Sequence, residues 1–184
     1  MIGKNFKISP QSVLEYKNTL FVVKASDLDK EVYSVLENAS KQGKCLFVST
    51  SKSYQSVREN AKNYDIVIPN LFIVDCVSAD AKVENHGNLR NIYFAGGLSA
   101  LTNLSILLSQ YVESLSGSHG CIIFDTLHTL LTQNDSKMVI KFVSQTMSYL
   151  SVYQNLKSAV FMIKDADNNF LNQIYNFFDK VIER

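Results

Sequence analysis

Asp125 and Thr126 close an apolar run, Cys121-Ile122-Ile123-Phe124, and this is where the sequence comes nearest to a recognisable chemistry. An apolar strand ending in aspartate, followed by a small hydroxyl residue, is a Walker-B pattern. There the carboxylate holds a magnesium-bound water beside a γ-phosphate. The same pattern also arises where the aspartate is a cap or a buried hydrogen-bond acceptor. Lys30 is the matching candidate for a phosphate contact, near the start of a helix that follows the first apolar run. Its surroundings argue against that role. Only glycine lets consecutive backbone N–H groups converge on phosphate oxygens without a Cβ in the way, and no glycine lies between Gly3 and Gly43. Asp27, Asp29 and Glu31 share the segment and would repel a polyphosphate. His86, His119 and His128 are scattered. Asp125 and His128, three apart, could face each other on a helical turn, and the histidines have no other Asp and no Cys at ligand spacing.

These residues need elements to carry them. Near-continuous apolar runs at Leu20–Lys24, Cys45–Ser49, Leu71–Asp75, Ile92–Ala95, Cys121–Asp125 and Ala159–Ile163 read as strands covered on both faces, as in parallel sheets. Helical stripes lie between most of them: Val32, Val35, Leu36 and Ala39; Leu101, Leu104, Leu108, Tyr111 and Leu115; Val139, Phe142, Val143, Thr146 and Leu150; and a short fourth from Phe170 to Phe178. Asp27 and Asp29 suit the start of the first helix, Gly43 its end, and Asn134 or Asp135 the start of the third. Strand and helix alternating in this way predict an α/β fold, a three-layer αβα sandwich around a mostly parallel central sheet. Residues 80–90 read as an exposed loop. Residues 1–18 read as an N-terminal extension with a short leading helix, ahead of one α/β domain over 19–184.

The order of segments resembles a RecA-type core, and most closely the KaiC/RadA-like ATPase group of archaea and bacteria. The resemblance runs from Leu20 to Glu183. It rests on residues 38–50 (NASKQGKCLFVST), 70–76 (NLFIVDC), 98–105 (LSALTNLS), 121–127 (CIIFDTL) and 178–183 (FDKVIE). That family binds ATP through a G-x-x-x-x-G-K-S/T loop after its first strand and activates water with a glutamate after its second. Here Ala25 to Glu31 hold the first position and Ser51 and Lys52 the second. Asp125 is the one element of the three that matches. Losing a single transition-state contact typically costs ~3–4 kcal/mol, so losing two whole elements leaves little catalysis. The resemblance therefore implies a degenerate, P-loop-less form: a pseudo-ATPase that acts as a regulatory or protein-interaction subunit, without catalytic residues, bound cofactor or metal. The alternative it leaves open is an atypical nucleotide binder or weak ATPase. In that reading Lys30, Asp125 and Thr126 form a vestigial site for ATP and magnesium. A further alternative is an accessory role in DNA recombination.

Composition narrows the classes. Hydrophobic residues make up 46% of the 184 and charged residues 19%, which excludes a disordered chain. At this length ~70% of the extended chain's surface is buried on folding, enough for a core without disulfides or metal. The formal net charge of +1 gives no bulk field for nucleic acid, so that partner is not expected. Lys41, Lys44, Lys52 and Arg58 could at most make a modest basic edge. No apolar run approaches the ~20 residues of a membrane helix, and residues 1–11 are polar, so neither membrane nor secretion is expected. Three widely spaced cysteines, each beside strand-like residues, read as buried reduced thiols of a cytoplasmic protein. The expected partner is a protein, or a second copy of the chain.

Overall fold

The computed structural model describes residues 15–78, 91–115, 117–164 and 168–184. Of the expected N-terminal extension only residues 15–18 are described, and the loop over 80–90, with His86, lies outside the described residues. Seven strands form one sheet: β1 (Asn18–Val23), β2 (Lys44–Ser49), β3 (Leu71–Asp75), β4 (Ile92–Phe94), β5 (Gly120–Phe124), β6 (Leu156–Ile163) and β7 (Lys180–Glu183). Their spatial order is β4-β3-β2-β5-β6-β1-β7. All six neighbouring pairs run parallel, so the expected mostly parallel sheet is wholly so.

The strands are apolar on both faces because helices cover both. Phe21, Phe47, Ile123 and Phe161 point to the layer made by α1 (Leu28–Gln42) and α2 (Tyr54–Ala61). Leu46, Val48, Ile122, Phe124 and Val160 point to the opposite layer. That layer holds α3 (Leu101–Ser114), α4 (His128–Gln133), α5 (Ser136–Ser151) and α6 (Asn168–Ile174). Two cores, one on each side of the sheet, complete the three-layer sandwich. The expected stripes are the buried faces: Val32, Val35, Leu36 and Ala39 on α1, and Val139, Phe142, Val143 and Leu150 on α5. Asp135 caps α5, its carboxylate accepting from the Lys137 N–H at 2.8 Å. No described helix is long and apolar enough to cross a membrane.

Gly43 ends α1, and its N–H donates to the Ala39 carbonyl at 3.2 Å. Its φ of 171° is extended backbone open to any residue, so the demand for glycine is steric. A Cβ there would lie 2.8 Å from the His119 carbonyl oxygen, a backbone atom that cannot swing aside. Gly43→Ala should therefore cost about 2 kcal/mol through displaced backbone at the start of β2 and β5. Urea denaturation reads this directly, and an unchanged midpoint would mean that the two segments are not in that contact.

The chain order fixes where a site can form. The helices after β1 and β2 go to one face, and those after β5 and β6 to the other. Crevices therefore open at the carboxyl edge between β2 and β5, and again between β6 and β1, where ligands bind in open parallel sheets.

Candidate functional site

The β2/β5 crevice is where the sheet brings Asp125 to the end of β2. The residues Ser49, Thr50 and Ser51 there turn their polar groups onto its carboxylate. Oδ1 accepts from the Thr50 N–H at 2.8 Å, the Thr50 hydroxyl at 2.7 Å and the Thr126 N–H at 2.7 Å. Oδ2 accepts from the Ser51 hydroxyl at 2.6 Å, the Ser51 N–H at 3.1 Å and the Ser49 hydroxyl at 3.1 Å. An ionised carboxylate offers roughly four lone-pair sites. Six donors within reach leave no position for a metal-bound water, and Asp125 is only 5% exposed. Two of the hydroxyls have second acceptors, Ser49 the Lys52 carbonyl and Thr50 the Thr126 carbonyl. Thr129 donates to the Thr50 hydroxyl at 2.6 Å, which extends the network into α4.

Thr126 is buried, and its hydroxyl accepts from the His128 N–H at 3.1 Å, forming the turn into α4. Lys30 stands elsewhere. It is exposed on α1 and enters no ion pair among the described residues. The segment expected to replace a phosphate loop is a single 3-10 turn, Ala25–Asp27, that runs straight into α1. The acids that follow are already engaged: Asp29 pairs with Lys52 across the carboxyl edge, and Glu31 with Arg184. The Asp29–Lys52 pair is largely exposed and worth ~0–1 kcal/mol, whereas Glu31 and Arg184 are half-buried. With these partners the segment is close to neutral, and what it lacks for a triphosphate is a cradle of converging backbone N–H groups. The residues present do not fit a magnesium nucleotide.

A second buried carboxylate was not singled out by the sequence. Asp75, fully buried at the end of β3, accepts from the Tyr54, Val77 and Ser78 N–H groups, each at 2.8 Å. Tyr54 opens α2, so Asp75 puts negative charge at that helix's positive end, while Ser53 caps it by accepting from the Ser56 N–H. The helix itself was missed. Its signal was the Ser53 cap followed by Tyr54, Val57 and Ala61 at helical spacing, diluted by polar neighbours.

The other candidates are not brought together. His128 makes no side-chain bond to Asp125, and its buried Nδ1 has no partner. His119 lies at the far end of β5. Among the described residues no group of three or more His, Cys, Asp or Glu could hold a metal ion. The basic edge does not form either. Lys44 and Lys52 sit at opposite ends of β2, and Lys41 is tied to Glu37 and Asp65. The three cysteines are free and buried. Burial pushes the Cys121 thiol up to about 12 and raises Cys45 and Cys76 as well, helped at Cys76 by the Asp125 and Asp75 charges. None of them is set up as a nucleophile.

No protein-family model and no curated protein matches the chain. Among solved structures, it is similar to an uncharacterized protein of Pyrococcus horikoshii determined in complex with an unknown peptide. The TM-score is 0.66 at 12% identity, over 91% of this chain and 77% of that one. At that identity the likeness is one of fold.

Proposed function

We propose that the chain is a non-catalytic RecA/KaiC-like domain, a pseudo-ATPase that works as a regulatory or protein-interaction subunit. The observation that carries this reading is the Asp125 carboxylate, enclosed by donors from Ser49, Thr50, Ser51 and Thr126. An acid kept for magnesium needs free lone pairs facing the crevice, whereas this one ties the ends of two strands together. The glycine-free turn after β1, closed by the Asp29–Lys52 pair, supports the same reading. The structural neighbour was determined in complex with an unknown peptide, which is in keeping with a protein-interaction role. Buried, reduced thiols suit a cytoplasmic setting. The nucleotide-binding alternative through Lys30, Asp125 and Thr126 has only the position of Asp125 in its favour. For the DNA-recombination alternative the near-neutral charge supplies no driving field.

Size-exclusion chromatography with light scattering tests the interaction role. The expected result is a self-associated species, or a stable complex with a protein partner. A strict monomer that also retains no partner from cell extract contradicts it.

A further inference from the structure

The two helix layers differ in charge. α1 and α2 carry seven charged residues, whereas the four helices of the other layer, α3 to α6, carry only Glu113, Lys137 and Lys141. None of these three enters an ion pair among the described residues. Depletion of charge is the mark of an interface centre rather than of an ordinary solvated face.

Within this layer α3 and α5 lie side by side and leave a groove of about 230 Å³ between them. The buried Leu108 and Thr146 lie at its base, with Ser105 and Ser109 on the α3 side and Gln145 and Tyr149 on the α5 side. Large apolar side chains border it. Ile106 is 49% exposed and, three residues before Ser109, shares its side of α3. Met138 is 56% exposed and, seven residues before Gln145, shares its side of α5.

The charges stand at the two ends of the groove. Both helices run from the carboxyl to the amino edge, because each leads into the start of a parallel strand. Glu113 lies one turn beyond Ser109, and Lys141 one turn before Gln145. The Tyr149 phenol is pushed up to about 12 by burial first, then by Tyr153, with the Glu113 charge adding to it, so that carboxylate belongs to the Tyr149 end. A second copy laid on this face and turned end for end meets the pattern with its opposite, negative over positive at both ends. The aligned dipoles of α3 and α5 are then also opposed by those of the copy. A partner of one strong charge would match one end and be repelled at the other.

We propose that the α3–α5 face is a two-fold interface with a second copy of this chain, Ile106 and Met138 packing over the groove and Glu113 facing the partner's Lys141 at each end. Naming the partner in this way rests on the protein-interaction reading above. Two helices about 20 Å long and ~10 Å apart present roughly 500 Å² on each copy, which belongs to the weak, reversible class of interface.

Sedimentation equilibrium of the full chain from about 10 µM to about 1 mM tests this, the range in which an interface of that class dissociates. The average mass is expected to climb from 20.7 kDa toward twice that value. Ile106→Glu should weaken the dimer at least about tenfold, by setting a charge in the apolar centre. Glu113→Lys sets like charges against each other at both ends and should weaken it about threefold or more, and adding Lys141→Glu should restore it. All three side chains are exposed, and unchanged urea midpoints show that folding is kept. A dimer indifferent to Ile106→Glu, or one that the second charge reversal does not restore, overturns this face and leaves self-association standing. A chain that stays at the monomer mass but retains a protein from cell extract overturns the dimer and leaves the interaction role standing. A monomer that retains none contradicts both.

Discussion

Asp125→Ala should lose about 4 kcal/mol of folding stability, because each buried donor left without an acceptor costs roughly 1–3 kcal/mol. Four donors face the carboxylate with no second acceptor: the Thr50, Ser51 and Thr126 N–H groups and the Ser51 hydroxyl. The Ser49 and Thr50 hydroxyls can turn to the Lys52 and Thr126 carbonyls, so they add little. The hydroxyl of Ser51 is only partly buried and can reach water, which leaves three backbone groups to carry most of the loss. Asp125→Asn should fall between the variant and the parent, since an amide keeps one acceptor oxygen but turns an NH2 against donors. Urea denaturation with an unchanged m-value gives the number. The opposite role predicts the opposite sign. A carboxylate held free for a cation is a stability liability, and its removal would leave the midpoint level or raise it. A loss under ~1 kcal/mol, the scale of one ordinary hydrogen bond, would therefore contradict the structural role.

Phe161→Ala should cost a similar amount, about 4 kcal/mol, for a different reason. Phe161 is fully buried in β6 and stacks on Phe21 of β1, with ring centroids 4.7 Å apart and planes 16° from parallel. It lies beneath the α1 and α2 layer, so truncation opens a cavity among groups fixed by two sheet neighbours and a helix layer. For a chain of this size each kcal/mol moves the melting temperature by roughly 2–4 °C, so the midpoint should drop by about 12 °C. A drop of less than about 4 °C would mean that the two-sided core collapses around the gap, contrary to a rigid central sheet.

The α/β class was legible in the sequence because parallel strands covered on both faces leave unbroken apolar runs. β1, β2, β3 and β5 fall within two residues of the runs that announced them. Where a strand carries polar residues, the signal fails. β6 begins at Leu156 rather than Ala159, because Lys157 and Ser158 interrupt the run. Ser158 is nonetheless buried, donating to the Asn18 side chain at 2.9 Å. α2 escaped for the converse reason: only Tyr54, Val57 and Ala61 mark its inner face. α4 was hidden by a leucine-rich stretch too short to show a period.

Asp125 was legible as a residue worth attention, but its partners were not. Thr50 and Ser51 lie about 75 positions away, and nothing local states that β2 neighbours β5. Asp75 has the same explanation: its role depends on where α2 begins, and that helix had not been seen. Strand order is a property of the folded sheet, and with it comes the difference between a vacant acid and a saturated one.

The most direct test is the melting temperature of the purified chain with and without millimolar ATP and magnesium. Ligand at 100 times its Kd stabilises by about 2.7 kcal/mol, which here would raise the midpoint by about 8 °C. A saturated Asp125 and a glycine-free turn predict a change within ~1 °C, far below that mass-action effect. A magnesium-dependent rise of several degrees, abolished by Lys30→Ala, would contradict the assignment of this fold to a non-nucleotide role.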